Sequence, residues 1–270
     1  MDNRPIGIFD SGLGGLTAVK ELELLLPNEN IIYFGDTGRV PYGSKGRDII
    51  IKYAAQDLNF LKANGVKAAL AACGTVSSVA TNLGEDFDIP FTNVVLPTAL
   101  AAAKQSKNGK IGVIATSATI ASSSYRTELL KIDQNLDIFQ QACPLFVPLV
   151  ENGFVDKDNQ VTHLVAEKYL ASLKEAKVDT LILGCTHYPI ISSIISSVMG
   201  EGVTLIDSGR EAAIHCAEKL KSLDLLSDGS QKTDNKYFVS DTPTDFTRIA
   251  EMFLGHSIKG QTIQIDIEKY

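Results

Sequence analysis

The chain has 270 residues and a net charge of −7, with 44% hydrophobic and 21% charged residues. That composition fits a folded globular protein able to bury a core without disulfide staples, and the acidic balance excludes a general nucleic-acid binder. No apolar run reaches the ~18–20 residues of a membrane span and Met1–Asp10 lacks signal-peptide architecture, so a cytoplasmic protein making no membrane contact is expected.

In chain order, Ile6–Asp10 reads as a strand, Ser11-Gly12-Leu13-Gly14-Gly15 as a tight turn and Leu16–Leu26 as a helix. A second strand covers Ile31–Asp36, and the loop from Thr37 to Lys45 leads to a helix over 47–63 with Gly65 at its end. Val66–Ala72 is a third strand ending at Cys73, 76–83 a helix and Ile89–Leu96 a fourth extended segment. The pattern then restarts. Strands are expected at 110–117, 136–142, 178–184 and 203–208, and helices at 119–130, 159–174, from about Pro189 and at 209–220. Cys143–Gly153 reads as a loop, as does the polar stretch 226–235. Late strands at 236–240 and 263–267 flank a helix at 243–254.

Alternating strands and helices predict an α/β protein with mostly parallel sheets. The restart is an internal repeat: Gly7 aligns with Gly112, 105 residues on, and Cys73 with Cys185, 112 residues on. Two similar α/β domains are therefore expected, the first over 1–96 plus 209–270 and the second over 97–208, facing each other across a cleft. Ligands in such sheets bind beyond the strand C-termini, where Asp10-Ser11, Cys73, Thr116-Ser117 and Cys185 all fall.

A buried cysteine is usually an inert small hydrophobe, and that reading suffices for Cys143 and Cys216. Cys73 and Cys185 differ, because each joins an apolar strand to a helical pattern. Backbone N–H groups and a helix dipole there are expected to lower a thiol pKa. Thr75, Ser77 and Ser78 follow one cysteine, and Thr186 and His187 the other. His187 could serve as acid, base or hydrogen-bond partner. A Cys–His hydrolase satisfies the residue types but leaves Cys73 without a role. Gly12-Leu13-Gly14-Gly15 with Asp36 downstream only partly fits a dinucleotide fingerprint, since position 17 is Thr17 rather than glycine. The widely spaced cysteines contain no C-x-x-C, so no metal site is expected.

The segments Ile6–Gly15, Tyr33–Asp36, Arg39–Lys45, Cys143–Glu151 and Leu183–Pro189 together resemble the glutamate racemase family, over nearly the whole chain. The resemblance implies two α/β domains related by a pseudo-twofold axis, with the active site between them. It implies a cofactor-independent racemase that interconverts L- and D-glutamate and supplies D-glutamate for peptidoglycan. Its two catalytic cysteines match Cys73 and Cys185. Its substrate-binding pairs match Asp10-Ser11, Tyr42-Gly43, Gly74-Thr75 and Thr186-His187, with Thr116 and Glu151 as further candidate substrate contacts. Asp10 would orient or deprotonate Cys73, and His187 would do the same for Cys185. Glutamate is the expected small-molecule partner, and a homodimer the expected assembly. The sequence departs from the family once: Cys73-Gly74-Thr75-Val76 stands where Cys-Asn-Thr-Ala is usual, removing a side-chain donor. An aspartate racemase of the same superfamily and a non-catalytic dicarboxylate-binding protein are the alternatives.

Overall fold

The computed structural model describes residues 1–85, 87–230, 233–242, 246–258 and 261–270, without the side chains of 246 and 247. Its strands form two sheets, both wholly parallel. The first contains β1 (Ile6–Asp10), β2 (Ile31–Gly35), β3 (Ala68–Ala71), β4 (Phe91–Asn93), β9 (Lys236–Val239) and β10 (Thr262–Gln264), in the order β10-β9-β2-β1-β3-β4. The second contains β5 (Lys110–Ala115), β6 (Asp137–Ala142), β7 (Thr180–Leu183) and β8 (Thr204–Asp207), in the order β6-β5-β7-β8.

The order β2-β1-β3-β4 recurs as β6-β5-β7-β8, so the repeat in the sequence is a repeat of topology. The register sharpens it: Gly7 pairs with Ala69 of β3, and Gly112 with Leu181 of β7. β1 and β3 are wholly buried, and β5 nearly so, as their continuous apolar runs require.

Helices α1 (Leu16–Leu25), α4 (Val95–Gln105) and α10 (Ser208–Ser222) pack on one another, α1 on α10 and α10 on α4. One apolar cluster runs from Ile6 and Ile8 through Val95 and Ala99 to Ile111 and Ile114, so this core is shared by both sheets. A separate cluster, holding Phe9, Phe34, Leu58 and Phe60, seats α2 (Arg47–Ala63) on the other face of the first sheet. Gly65 follows α2 with φ +70°, the left-handed conformation that ends a helix.

Three local expectations are corrected. The extended segment expected over 89–96 is strand only at Phe91–Asn93, and Val95 begins α4, which the sequence reading lacks. Pro97 sits in the first turn of α4, where its missing N–H costs nothing. The loop expected after Cys143 contains α7 (Phe146–Glu151), again with a proline, Pro148, near its start. The helix expected over 119–130 is two helices, α5 (Ser117–Ser122) and α6 (Ser124–Ile132), broken at Ser123 where φ is +56°. The helix expected over 243–254 is seen as α11 (Phe246–Leu254); positions 243–245, and 231–232 of the polar loop, lie outside the described residues. No helix among the described residues is long and apolar enough to cross a membrane.

Candidate functional site

Four strand ends converge on one cavity. β1 runs into Ser11–Gly15, β3 into Cys73 and the short helix α3 (Gly74–Val79), β5 into Thr116 and α5, and β7 into Gly184–His187 and a 3₁₀ turn over Tyr188–Ile191. The cavity has a volume of about 470 Å³. Ser11, Tyr42, Gly43, Cys73, Gly74, Thr75, Thr116, Glu151, Cys185, Thr186 and His187 all line it. Of the residues expected to be catalytic or substrate-binding, Asp10 alone is absent from the wall. It is buried behind the glycine turn, close enough that a Cβ on Gly15 would meet its own. Val147 and Pro148 of α7 add an apolar wall that the sequence reading missed, because that segment reads as a loop.

Cys73 lies four residues beyond Ala69, and Cys185 four beyond Leu181, the respective partners of Gly7 and Gly112. The thiols are therefore equivalent under the repeat, and so are the hydroxyls of Ser11 and Thr116. The helper groups are not: by the same alignments Asp10 matches Ala115, and His187 matches Thr75. The repeat thus duplicates the thiols and gives each a different neighbour.

At the second thiol, Cys185 Sγ lies 3.9 Å from His187 Nδ1, and His187 Nε2 lies 3.0 Å from Glu151 Oε1. Burial alone would lower the ring's pKa, but its bonds to Cys185 and Glu151 outweigh burial and raise it to about 10. Phe253 of α11 packs edge-on against this ring with centroids 5.3 Å apart.

At the first thiol, Cys73 Sγ donates to Ser11 Oγ at 3.5 Å. Burial and then the charge of Asp10 push this thiol up to about 12. The lowering expected from a helix N-terminus does not prevail, since α3 has only six residues and the thiol is 5% exposed. Asp10 is itself raised by burial, against the pull of His187. Its Oδ2 accepts the Gly12 N–H at 3.0 Å, while Oδ1 is buried without a hydrogen-bond partner. An orphaned carboxylate oxygen at a ligand cavity is a costly arrangement, of the kind found at functional sites.

Thr75 and Thr116 face each other across the cavity with their hydroxyl oxygens 3.0 Å apart. Tyr42 contributes differently from a side-chain donor: its hydroxyl is turned away to Asp36 and Asp57. Asp36 also accepts from Arg39 at 2.6 Å and Ser240 at 2.7 Å, so its carboxylate is committed within the protein rather than offered to a ribose. Cys143 and Cys216 are buried and lie outside the cavity wall. Among the described residues no three His, Cys, Asp or Glu side chains are grouped to hold a metal ion.

Residues 26–216 match the Asp/Glu/Hydantoin racemase family. A glutamate racemase of Geobacter metallireducens is 44% identical over 98% of this chain and 97% of its own length. One from Thermoanaerobacter pseudethanolicus is 43% identical over the whole of both chains. The crystal structure of glutamate racemase from Francisella tularensis in complex with D-glutamate superposes with a TM-score of 0.93, at 39% identity over the whole of both chains.

Proposed function

This chain belongs to the Asp/Glu/hydantoin racemase family, and we propose that it interconverts L- and D-glutamate without a cofactor, Cys73 and Cys185 acting on opposite faces of the α-carbon. The observation that carries this reading is that two thiols at equivalent strand ends line one cavity.

Inversion at carbon needs a base on one face and an acid on the other, since return of the proton to the face it left restores the starting enantiomer. One thiolate takes the α-proton, the centre becomes planar, and the opposite thiol delivers its proton. The reverse reaction exchanges the roles. Cys73, held up to about 12, carries its proton in the resting protein and is the ready acid. Beside Cys185, His187 is held protonated by its raised pKa of about 10 and anchored by Glu151, so its positive charge favours the thiolate form of Cys185 as the base. A bound amino acid brings a positive ammonium group into this buried space, favouring thiolate over thiol. Asp10, with its free Oδ1, is the group placed to take the Cys73 proton at that moment. Backbone N–H groups at 74–75 and 186–187, with the Ser11, Thr75, Thr116 and Thr186 hydroxyls, hold the substrate carboxylates and the charge that grows on the α-carboxylate.

In this reading the two sheets are the cores of two domains, 1–96 with 209–270 and 97–208, related by a pseudo-twofold axis. The product is D-glutamate for peptidoglycan, made in the cytoplasm by a homodimer. The relatives named glutamate racemase support the substrate. Gly74, which lacks the family's usual Asn side chain, is the feature that favours a different dicarboxylic amino acid, aspartate foremost.

Cys73→Ala and Cys185→Ala are each expected to abolish racemisation, followed by polarimetry, while circular dichroism stays unchanged. Full activity in either variant rules out the two-thiol mechanism. In D₂O either glutamate enantiomer takes up α-deuterium; uptake by aspartate alone identifies an aspartate racemase, and binding of glutamate without turnover identifies a non-catalytic protein.

A further inference from the structure

Three glycines on the first-sheet side of the cavity lie where a side chain would strike the opposite wall. An ideal Cβ at Gly43 would be 3.1 Å from Thr116 Cβ, and one at Gly14 2.1 Å from Thr186 Oγ1. Those neighbours are side chains. At Gly74 the obstacle is main chain: a Cβ would stand 2.3 Å from the carbonyl oxygen of Gly184, the residue before Cys185. Non-bonded heavy atoms prefer about 3.5 Å or more, so one of the two walls has to give by roughly 1 Å. The Gly184 carbonyl belongs to the peptide that carries Cys185, so displacing it displaces the thiol. The other wall is tied down as well. Thr75 meets Thr116 at 3.0 Å, and Ser124 donates to Ser78 at 2.8 Å, fixing α3 against α5 and α6.

We infer that Gly74 sets the working width of the cleft: with no side chain there, the first turn of α3 seats on the Gly184 carbonyl and brings the walls of Cys73 and Cys185 together on one α-carbon. Gly74 is in this sense a positioning residue, acting on both thiols through their backbones. The Asn usual at this position in the family could not be seated on this backbone without parting the walls. The inference rests on the two-thiol reading, because only a reaction that needs both faces at once depends on their separation.

The test is Gly74→Ala and Gly74→Asn in the full chain, with crystal structures and glutamate kinetics in both directions. Residues 73–76 and 184–186 are expected to move apart. A misplacement of this size is expected to lower kcat roughly 10- to 100-fold. The dissociation constant for glutamate, measured by calorimetry, shifts by a smaller factor. Wild-type kcat in either variant overturns the inference, as does a loss of kcat with those segments unmoved. If neither variant folds, Ser78→Ala with Ser124→Ala decides it. That pair lies outside the cavity wall and ties α3 to α6. A severalfold fall in kcat supports the inference and an unchanged kcat overturns it. If the wild-type protein does not turn over glutamate, the function proposed above fails by itself, and the crystal structures alone decide the width of the cleft.

Discussion

Glu151 Oε1 and His187 Nε2 lie 3.0 Å apart, and through this contact the end of α7 reaches the thiol of Cys185. The ring is raised to about 10 because its bonds to Cys185 and Glu151 override the burial that would lower it. Glu151→Gln removes one raising cause and leaves the burial, so the His187 midpoint falls. For a histidine raised above its ordinary 6.5, the associated stability is fully present below that value and is lost as pH rises through about 10. The stability advantage of wild type over Glu151→Gln therefore holds at neutral pH and disappears above about 10. NMR titration of the ring checks the midpoint, and the rate with Cys185 as base is expected to fall roughly 10-fold or more. A His187 midpoint unchanged in the variant would show that Glu151 has no hold on the ring.

This link shows where the sequence stops being legible. The thiols were readable because a repeat places them at matching strand ends, and strand-to-helix junctions are local patterns. The pairing of His187 with Glu151 spans 36 residues and two elements, and nothing in either segment's spacing encodes it. α7 reads as a loop, and α4 is missing from the reading beyond Leu96; Pro148 and Pro97 each fall in a first turn, where helices accept proline. The direction of the Cys73 shift was misjudged for a different reason. A junction with helix N–H groups is visible in sequence, but burial of the sulfur and the nearness of Asp10 are properties of the packed cleft.

Asp10 carries a cost that its removal should relieve. Burial raises its pKa, outweighing the attraction of His187, and Oδ1 has no partner. A raised carboxylate is neutral and free of penalty below its ordinary 3.8, and the penalty grows as pH rises through the shifted value. Asp10→Asn is therefore expected to be more stable than wild type near pH 8, by about 1–3 kcal/mol. The difference shrinks toward acid pH, and racemisation falls by roughly 10²-fold or more. Thermal unfolding across a pH series checks the first claim and initial rates the second. A variant less stable at neutral pH would mean that the carboxylate holds the glycine turn together.

Lys67 and Glu29 form an ion pair at the opposite end of the first sheet, with side chains 0% and 3% exposed. Lys67 Nζ also donates to the Asp2 carbonyl at 2.6 Å, and Glu29 Oε1 accepts the Ser227 N–H at 2.7 Å. Lys67→Met leaves a buried carboxylate without its cation and is expected to cost about 3–5 kcal/mol. Adding Glu29→Gln removes the stranded charge while keeping an acceptor for Ser227, and recovers much of that loss. Urea unfolding checks both. The kcat of the folded fraction stays at the wild-type value, because the pair lies at the strand N-termini, away from the cavity.

Tyr42 makes the most demanding case, since its neighbour Gly43 lines the cavity while its own hydroxyl serves two buried acids. Asp57 is held well above the usual carboxylate range, by burial and then by the charge of Asp36, against the pull of Arg39. Tyr42→Phe deletes the hydroxyl shared by Asp36 and Asp57 and leaves Arg39 alone between them. The expected loss of stability is about 1–3 kcal/mol. The loop carrying Gly43 is seated against Thr116, so its displacement weakens substrate binding more than it slows the proton transfers. KM for glutamate therefore rises by a larger factor than kcat falls. Because the trouble lies in two facing acids, Asp57→Asn in the Tyr42→Phe background should cost less than the two single changes added together. Denaturant unfolding of the four proteins in that cycle gives the coupling directly. Strict additivity would mean that the hydroxyl does not mediate between Asp36 and Asp57.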